Sequence, residues 1–275
     1  MRMPTNNDPP ALITSHGNDL ARRARSLAQR KTRDEQRAFL VEGIRPVWQA
    51  LDHQAEIEVI LTAPELLTSG TAEGAVRDAR TRGIRVAEFS APVFARFSDR
   101  EHPSGLAAIV HVPPAPIKAL ETDPSSLYVA LYEIGNPGNL GTILRTLDAV
   151  GGAGLILIGN ATDPYHPHAV KASMGTIFST PIVQIERAAE AFAWARSRGL
   201  TVVGTSEHTE RTHWEAPLPL PCMLLLGSEG RGLPPELLDS CDYSVRIPME
   251  GTAGSLNLAV ATSILLYEAR RPESK

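Results

Sequence analysis

The chain lacks several features that would point directly to a function. It has two cysteines, Cys222 and Cys241, in 275 residues. That excludes a disulfide framework and matches the usage of a reduced compartment. Cys222 opens an apolar, strand-like run and reads as a buried hydrophobe. Zinc-ligand spacing is missing too. His166 and His168 lie two apart, His208 and His213 lie five apart, and neither pair has a third ligand nearby. No metal is expected. No apolar run approaches the roughly 20 residues of a membrane helix, so no membrane partner is expected. The stretch from Met1 to Asn18 is polar, carries Pro4, Pro9 and Pro10, and has no apolar centre of the secretory kind. A cytoplasmic location and a loose tail over residues 1–17 are the expectations. Internal repeats, low-complexity tracts and the G-x-G-x-x-G dinucleotide fingerprint are absent as well.

Net charge is small, at −4, but it is unevenly spread. Between Leu20 and Arg45 stand eight basic residues (Arg22, Arg23, Arg25, Arg30, Lys31, Arg33, Arg37, Arg45) against three acidic ones. A local basic stripe attracts phosphates even on an acidic protein. The plainer reading is a solvated helix with internal ion pairs such as Arg30 with Asp34.

Four prolines between Val112 and Pro124 mark a boundary, since proline removes backbone donors and opposes helix and sheet. The reading is a domain over 18–112, an extended linker over 113–124, and a second domain over 125–275. In the first, 18–30 reads as a basic helix. Phe39–Val41, Ile57–Leu61, Ile84–Val86 and Gly105–Val112 read as strands, with helices over Gly43–Asp52 and Glu73–Arg82 between them. In the second, the apolar runs Leu127–Ile134, Leu155–Ile158, Leu200–Gly204 and Met223–Leu226 suit strands buried on both faces, and Ser244–Ile247 is a fifth. Helical patterns over Asn139–Val150, Arg187–Arg198 and Ser255–Arg270 intervene. Such alternation predicts an α/β fold with a mainly parallel sheet.

Three polar, glycine-bearing motifs follow strands of the second domain, where α/β proteins bind ligands. The first is Asn136-Pro137-Gly138-Asn139-Leu140-Gly141-Thr142-Ile143-Leu144-Arg145. Leu140, Ile143, Leu144, Leu147 and Val150 make an apolar helix face, and Asn139, Thr142 and Arg145 fall on another. Asn139 stands where an N-cap belongs, and Arg145 has Asp148 within reach as a partner. The second is Gly227-Ser228-Glu229-Gly230-Arg231-Gly232-Leu233. An acidic residue is electrostatically wrong for cradling phosphate, so this loop points to a ligand with amine or sulfonium charge. The third runs from Ile247-Pro248-Met249 to Ser255-Leu256-Asn257, with Ser255 a candidate N-cap of the following helix.

Together and in this order the three motifs resemble the SpoU/TrmH family of RNA ribose 2′-O-methyltransferases, part of the knotted SPOUT superfamily. The segment Val170-Lys171-Ala172-Ser173-Met174-Gly175 with Phe178 is similar as well. Arg30-Lys31-x-Arg33 and Phe39-Leu40-Val41-Glu42-Gly43 resemble the family's RNA-binding extension, a small α/β domain similar in fold to a ribosomal protein. The resemblance implies a deep trefoil knot formed by about Gly227 to Glu268, a homodimer, and S-adenosylmethionine as cofactor. It places Gly227, Ile247 and Leu256 at the backbones that hold adenosine. Asn139, Arg145, Glu229, Ser255 and Asn257 would surround the methyl-transfer centre. Arg22, Arg23, Arg25, Arg30, Lys31 and Arg33 are the candidate RNA contacts. Asn136 departs from the family's frequent aspartate, Lys171 from arginine, and Ala259 from a second serine.

Arg145 is the family's proposed activator of the ribose hydroxyl. A guanidinium rarely gives up its proton, so the expected role is to fix a phosphate and stabilise developing alkoxide charge. The preferred substrate is ribosomal RNA, with transfer RNA second. A non-catalytic RNA-binding factor on the same fold is the alternative of a different class, and a dinucleotide enzyme is a third reading.

Overall fold

The computed structural model describes residues 11–271, which divide into two compact units. One runs to Pro113 and includes Tyr165–Pro167; the other comprises Pro114–Pro164 and the chain from His168 onward. Among the described residues, no helix is long and apolar enough to cross a membrane.

The first unit contains, in chain order, α1 (Asp19–Ser26), α2 (Arg30–Gln36), β1 (Ala38–Glu42), α3 (Ile44–Asp52), β2 (Ile57–Thr62), α4 (Gly70–Thr81), β3 (Val86–Glu88), α5 (Ala91–Phe94) and β4 (Leu106–His111). Its sheet has the order β1-β4-β2-β3, with β4 antiparallel to both neighbours and β2 parallel to β3. Leu27, Val59, Leu61, Phe89, Phe94 and Ile109 are fully buried in one cluster. The expected tail lies outside the described residues as far as residue 10. Beyond that point it is not loose, because Ile13 donates its N–H to the Glu88 carbonyl and bridges in parallel to Phe89.

The helix expected over 18–30 ends at Ser26, and a second helix, α2, follows from Arg30. Asn18 caps α1 with its side-chain oxygen, accepting from the N–H of Leu20 at 2.9 Å and of Ala21 at 3.3 Å. The chain then turns extended at Gln29 before α2. What holds the break is Arg33, whose Nη1 donates to the carbonyls of Leu27 and Ala28 at 2.8 Å each. These are end-of-helix carbonyls that would otherwise lack partners.

The second unit contains β5 (Leu127–Tyr132), α6 (Pro137–Ala149), β6 (Gly154–Ile158), α7 (Pro167–Ser173), β7 (Ile182–Ile185), α8 (Ala188–Ser197), β8 (Thr201–Thr205), β9 (Cys222–Leu226), α9 (Pro235–Leu238), β10 (Tyr243–Val245) and α10 (Leu258–Ala269). Six strands form one all-parallel sheet in the order β10-β8-β9-β5-β6-β7. β6 and β9 are buried along their whole length, as strands covered on both faces must be. On one face Tyr128 meets Trp194 edge-on, with centroids 4.9 Å apart. The proline-rich stretch is not a free spacer. Leu120 is buried there, with Ala115 and Ile117 packed on the same cluster, because these apolar side chains have a core to enter.

Two features position the site. Leu131 of β5 pairs in register with Leu226 of β9, so the loops that follow these neighbouring strands emerge side by side. And α10 returns to α6, where the hydroxyls of Thr146 and Ser263 meet at 2.9 Å. At the far end, Arg270 donates to the carbonyls of Val150 at 2.9 Å, Ser125 at 2.9 Å and Gly151 at 2.8 Å.

Candidate active site

α6 begins at Pro137, so its N-cap is Asn136 and not Asn139. The Asn136 side-chain oxygen accepts from the N–H of Gly138 at 2.8 Å and of Asn139 at 3.3 Å. Proline suits the first helical position because its missing N–H is not needed there. Displaced into the first turn, the Asn139 side chain is free for other partners, and the residue is only 9% exposed.

Those partners come from the other two motifs. Asn139 Nδ2 donates to Glu229 Oε1 at 2.9 Å, and Asn257 Nδ2 donates to Asn139 Oδ1 at 3.0 Å. A carboxylate only accepts, so the Asn139 amide has one orientation that serves both neighbours. Glu229 also accepts the backbone N–H of Gly135 at 3.2 Å and of Asn136 at 3.3 Å. Burial pushes the Glu229 carboxyl up. The bonds from Asn139 and from backbone N–H groups outweigh it and hold the carboxyl below its ordinary value. The loop therefore keeps a fixed negative charge at the strand ends.

Asn257 has a second role. Its Oδ1 caps α10, accepting from Ala259 at 2.9 Å and Val260 at 3.4 Å. The helix expected to start at Ser255 starts at Leu258, and Ser255 stands exposed outside it. Asn257 wins because its oxygen reaches the first N–H groups while its NH2 is spent on Asn139.

Gly227 is buried at the end of β9. A Cβ there would lie 2.0 Å from the carbonyl carbon of Gly232 and 2.3 Å from the N of Leu233, so only glycine lets the loop fold back on itself. Ser228 and Gly232 close that loop, with the Gly232 N–H on the Ser228 carbonyl at 3.0 Å. Ile247 and Leu256 are half-buried on the segment joining β10 to α10.

Arg145 is exposed on α6 and, among the described residues, forms no hydrogen bond or ion pair. The pairing with Asp148 is not made; Asp148 accepts from Ser179 at 2.5 Å instead. Hydrogen bonds thus join Asn139, Glu229 and Asn257, while Arg145 and Ser255 are left out of that chain. The residue the sequence reading undervalued is Asn136, noted there only as a departure from aspartate.

The basic stripe is more structural than its composition suggests. Arg33, an expected RNA contact, is 2% exposed and occupied with carbonyls, so it is not displayed to a phosphate. Arg23 is half-buried, paired with both oxygens of Glu58 and bonded to Gln36 at 2.8 Å. Arg22 pairs with Asp19, Arg30 with Asp34 at 3.7 Å and Lys31 with Glu35 at 3.8 Å, all on the surface. Arg25 is exposed.

Comparison with known proteins places the chain in a family. Residues 126–267 match the SpoU rRNA Methylase family and residues 18–108 the MRM3-like substrate binding domain. The chain is 34% identical over 251 residues to the 23S rRNA (uridine(2479)-2′-O)-methyltransferase of Streptomyces viridochromogenes, covering 89% of this chain and 86% of that one. It is 29% identical to the 23S rRNA (guanosine(2553)-2′-O)-methyltransferase of Bacillus subtilis, covering 94% of this chain and 98% of that one. The crystal structure of an AdoMet-bound rRNA methyltransferase from Sinorhizobium meliloti superposes with a TM-score of 0.86 at 36% identity, covering 96% of this chain and 98% of that one. With the parallel sheet and the three joined motifs, these matches make the chain a member of the SpoU rRNA methylase family.

Proposed function

We infer that this protein transfers a methyl group from S-adenosylmethionine to a ribose 2′-hydroxyl in ribosomal RNA. The observation that carries the reading is the hydrogen-bonded chain Asn257–Asn139–Glu229, which draws the three family motifs into one place at the carboxyl ends of β5 and β9. The ribosomal RNA activity of the named relatives favours that substrate over transfer RNA.

The residues present fit the cofactor. The Gly227 loop offers backbone without side-chain bulk, and Glu229 keeps a negative charge suited to a cationic ligand. Gly227, Ile247 and Leu256 would hold the adenosine part. When bound, the cofactor supplies a methyl already activated on a sulfonium, so the protein's task is alignment and exclusion of water. Asn139 and Asn257 fix the loops that form the pocket. Arg145, exposed and unengaged, is available to bind the target phosphate and to stabilise charge developing on the 2′-oxygen. Ser255 contributes a hydroxyl at the same loop.

The substrate-binding domain would gather RNA through the surface cations Arg22, Arg25, Arg30 and Lys31. A homodimer belongs to the same reading. It is supported by α10, where Val260 and Tyr267 are 48% and 60% exposed beside Ile264 and a groove lined by Ala149 and Val150. The knotted threading of the C-terminal segment is supported by the return of α10 to α6. Cytoplasmic residence follows from the substrate.

The test is transfer of labelled methyl to unmodified ribosomal RNA and transfer RNA, with mapping of the alkali-resistant linkage. A single 2′-O-methyl site in ribosomal RNA is the expected result. Cofactor binding with no transfer to either RNA would refute it in favour of a non-catalytic RNA-binding factor.

A further inference from the structure

Trp214 is 63% exposed, while its neighbour His213 is buried. A large aromatic ring held out in water on a well-fixed segment calls for a reason.

The segment is fixed by backbone. Thr212 bridges in parallel to Arg246, the Arg246 N–H donates to the Arg211 carbonyl at 2.9 Å, and the His213 N–H donates to the Arg246 carbonyl at 2.9 Å. The chain then turns, with the N–H groups of Glu215 and Ala216 on the Thr212 carbonyl. Trp214 sits at the tip of that turn, its ring centroid 5.1 Å from that of His213. It is held by its neighbours and left open to a partner.

Its position relates it to the site. Because the bridge is parallel, the chain passes Thr212 in the same direction as β10 passes Arg246 into Ile247. That is the carboxyl end of the sheet, where Asn139 and Glu229 also lie. β10 stands two strands from β9 and three from β5. Thr212 pairs on the edge of β10 away from β8, so at about 4.8 Å per strand the turn is roughly 14–19 Å from the joined motifs. An extended RNA strand crosses that distance in a few nucleotides.

We propose that Trp214 is a stacking platform for an unpaired nucleobase of the RNA substrate, close to the nucleotide being methylated. The proposal rests on the RNA methyltransferase reading and adds a requirement: the substrate is single-stranded beside its target. Indole faces take any base, and stacking rather than base-edge hydrogen bonding is how proteins commonly hold unpaired RNA. Arg211, whose guanidinium lies 5.2 Å from the Tyr243 ring centroid, and Arg246 flank the turn and supply cations for the backbone phosphates. Of the carboxylates on this segment, Glu215 is bonded to Thr212 at 2.8 Å and Glu207 lies 3.5 Å from His208. Glu210 stays exposed, so stacking and not charge carries the interaction.

Trp214→Ala and Trp214→Phe proteins would be compared with wild type for RNA affinity, cofactor affinity, KM, kcat and thermal melting, using ribosomal RNA fragments and single-stranded oligonucleotides. Trp214→Ala should weaken RNA binding and raise the RNA KM by roughly 5- to 100-fold, the range of one lost base stack. The Phe variant should retain most of the affinity. Cofactor affinity and melting temperature should not move, and RNA should quench a fluorescence component that the Phe variant lacks. Unchanged RNA affinity in the Ala variant overturns the proposal. So does a loss confined to cofactor affinity, which would assign the indole to that pocket. Binding is measured apart from turnover, so a wild-type protein that transfers no methyl sinks the methyltransferase reading while the binding comparison still judges Trp214.

Discussion

The side-chain oxygen of Asn136 accepts the backbone N–H of Asn139, and by capping α6 it frees the Asn139 amide to face Glu229. A helix starting one turn later would have used the Asn139 oxygen on its own backbone. The identity of one capping residue thus decides whether the three motifs are joined.

Asn139→Asp tests the joint. It keeps the shape but places a second carboxylate beside Glu229, where like charges oppose ionisation. The expected outcome is a fall in kcat/KM of about a hundredfold near neutral pH, the scale of a misplaced site, with partial recovery as the pH is lowered. A pH–rate profile parallel to wild type would show that the two side chains do not interact in the working enzyme.

The pH dependence of stability should carry a Glu229 contribution of known sign. Its folded-state pKa lies below the ordinary 4.5, so the ionised form is favoured by folding. That stabilisation is fully present above 4.5 and is lost as pH falls through the lowered folded value. Glu229→Gln should therefore melt at a lower temperature than wild type near neutral pH, with the gap narrowing in acid. A gap independent of pH would refute this.

Gly227→Ala puts a methyl group against the Gly232–Leu233 backbone, which has no soft end to move aside. Overpacking of this kind costs about 1–3 kcal/mol. Calorimetry of cofactor binding should show its loss or severe weakening, with the parallel sheet intact by circular dichroism.

The two kinds of arginine in the basic stripe should separate. Reversing Arg22 and Arg25 to glutamate should weaken RNA binding and lower the slope of log affinity against log salt by about two, one per phosphate contact. Arg33→Ala should instead cost about 3 kcal/mol of stability, since it strips the Leu27 and Ala28 carbonyls of a charged donor. Equal melting temperatures for Arg33→Ala and wild type would contradict the burial argument.

Arg270→Ala should lower stability by about 2–4 kcal/mol, having lost three carbonyl contacts, and Arg270→Lys should recover only part of it. Denaturant titration of the three proteins decides it.

Much of the fold was legible because buried parallel strands write themselves as apolar runs. Leu127 onward, Leu155–Ile158 and Met223–Leu226 all lie in strands. β7 escaped notice because it is four residues long and carries Gln184. The motifs pointed to the candidate site, since glycines and polar residues after strands have few other uses. What the residues do there was less legible. Asn136, Asn139, Ser255 and Asn257 are all good N-caps, and composition does not choose among them. The choice depends on where each helix starts, which Pro137 and the tertiary bonds of Asn257 set. Arg33 misled for a related reason. A basic residue in a basic run looks solvated, and only the break between α1 and α2 reveals the carbonyls that need it.

The joined amides also set an order in time. Residues 139, 229 and 257 emerge from the ribosome in that sequence, and the last follows every strand of the sheet. A nascent chain that has reached β10 owns all its strands but lacks the asparagine that both starts α10 and grips Asn139. Such a chain cannot yet draw the three motifs together through Asn139. The joint between the three motifs is therefore completed only once the segment that begins α10 has been made.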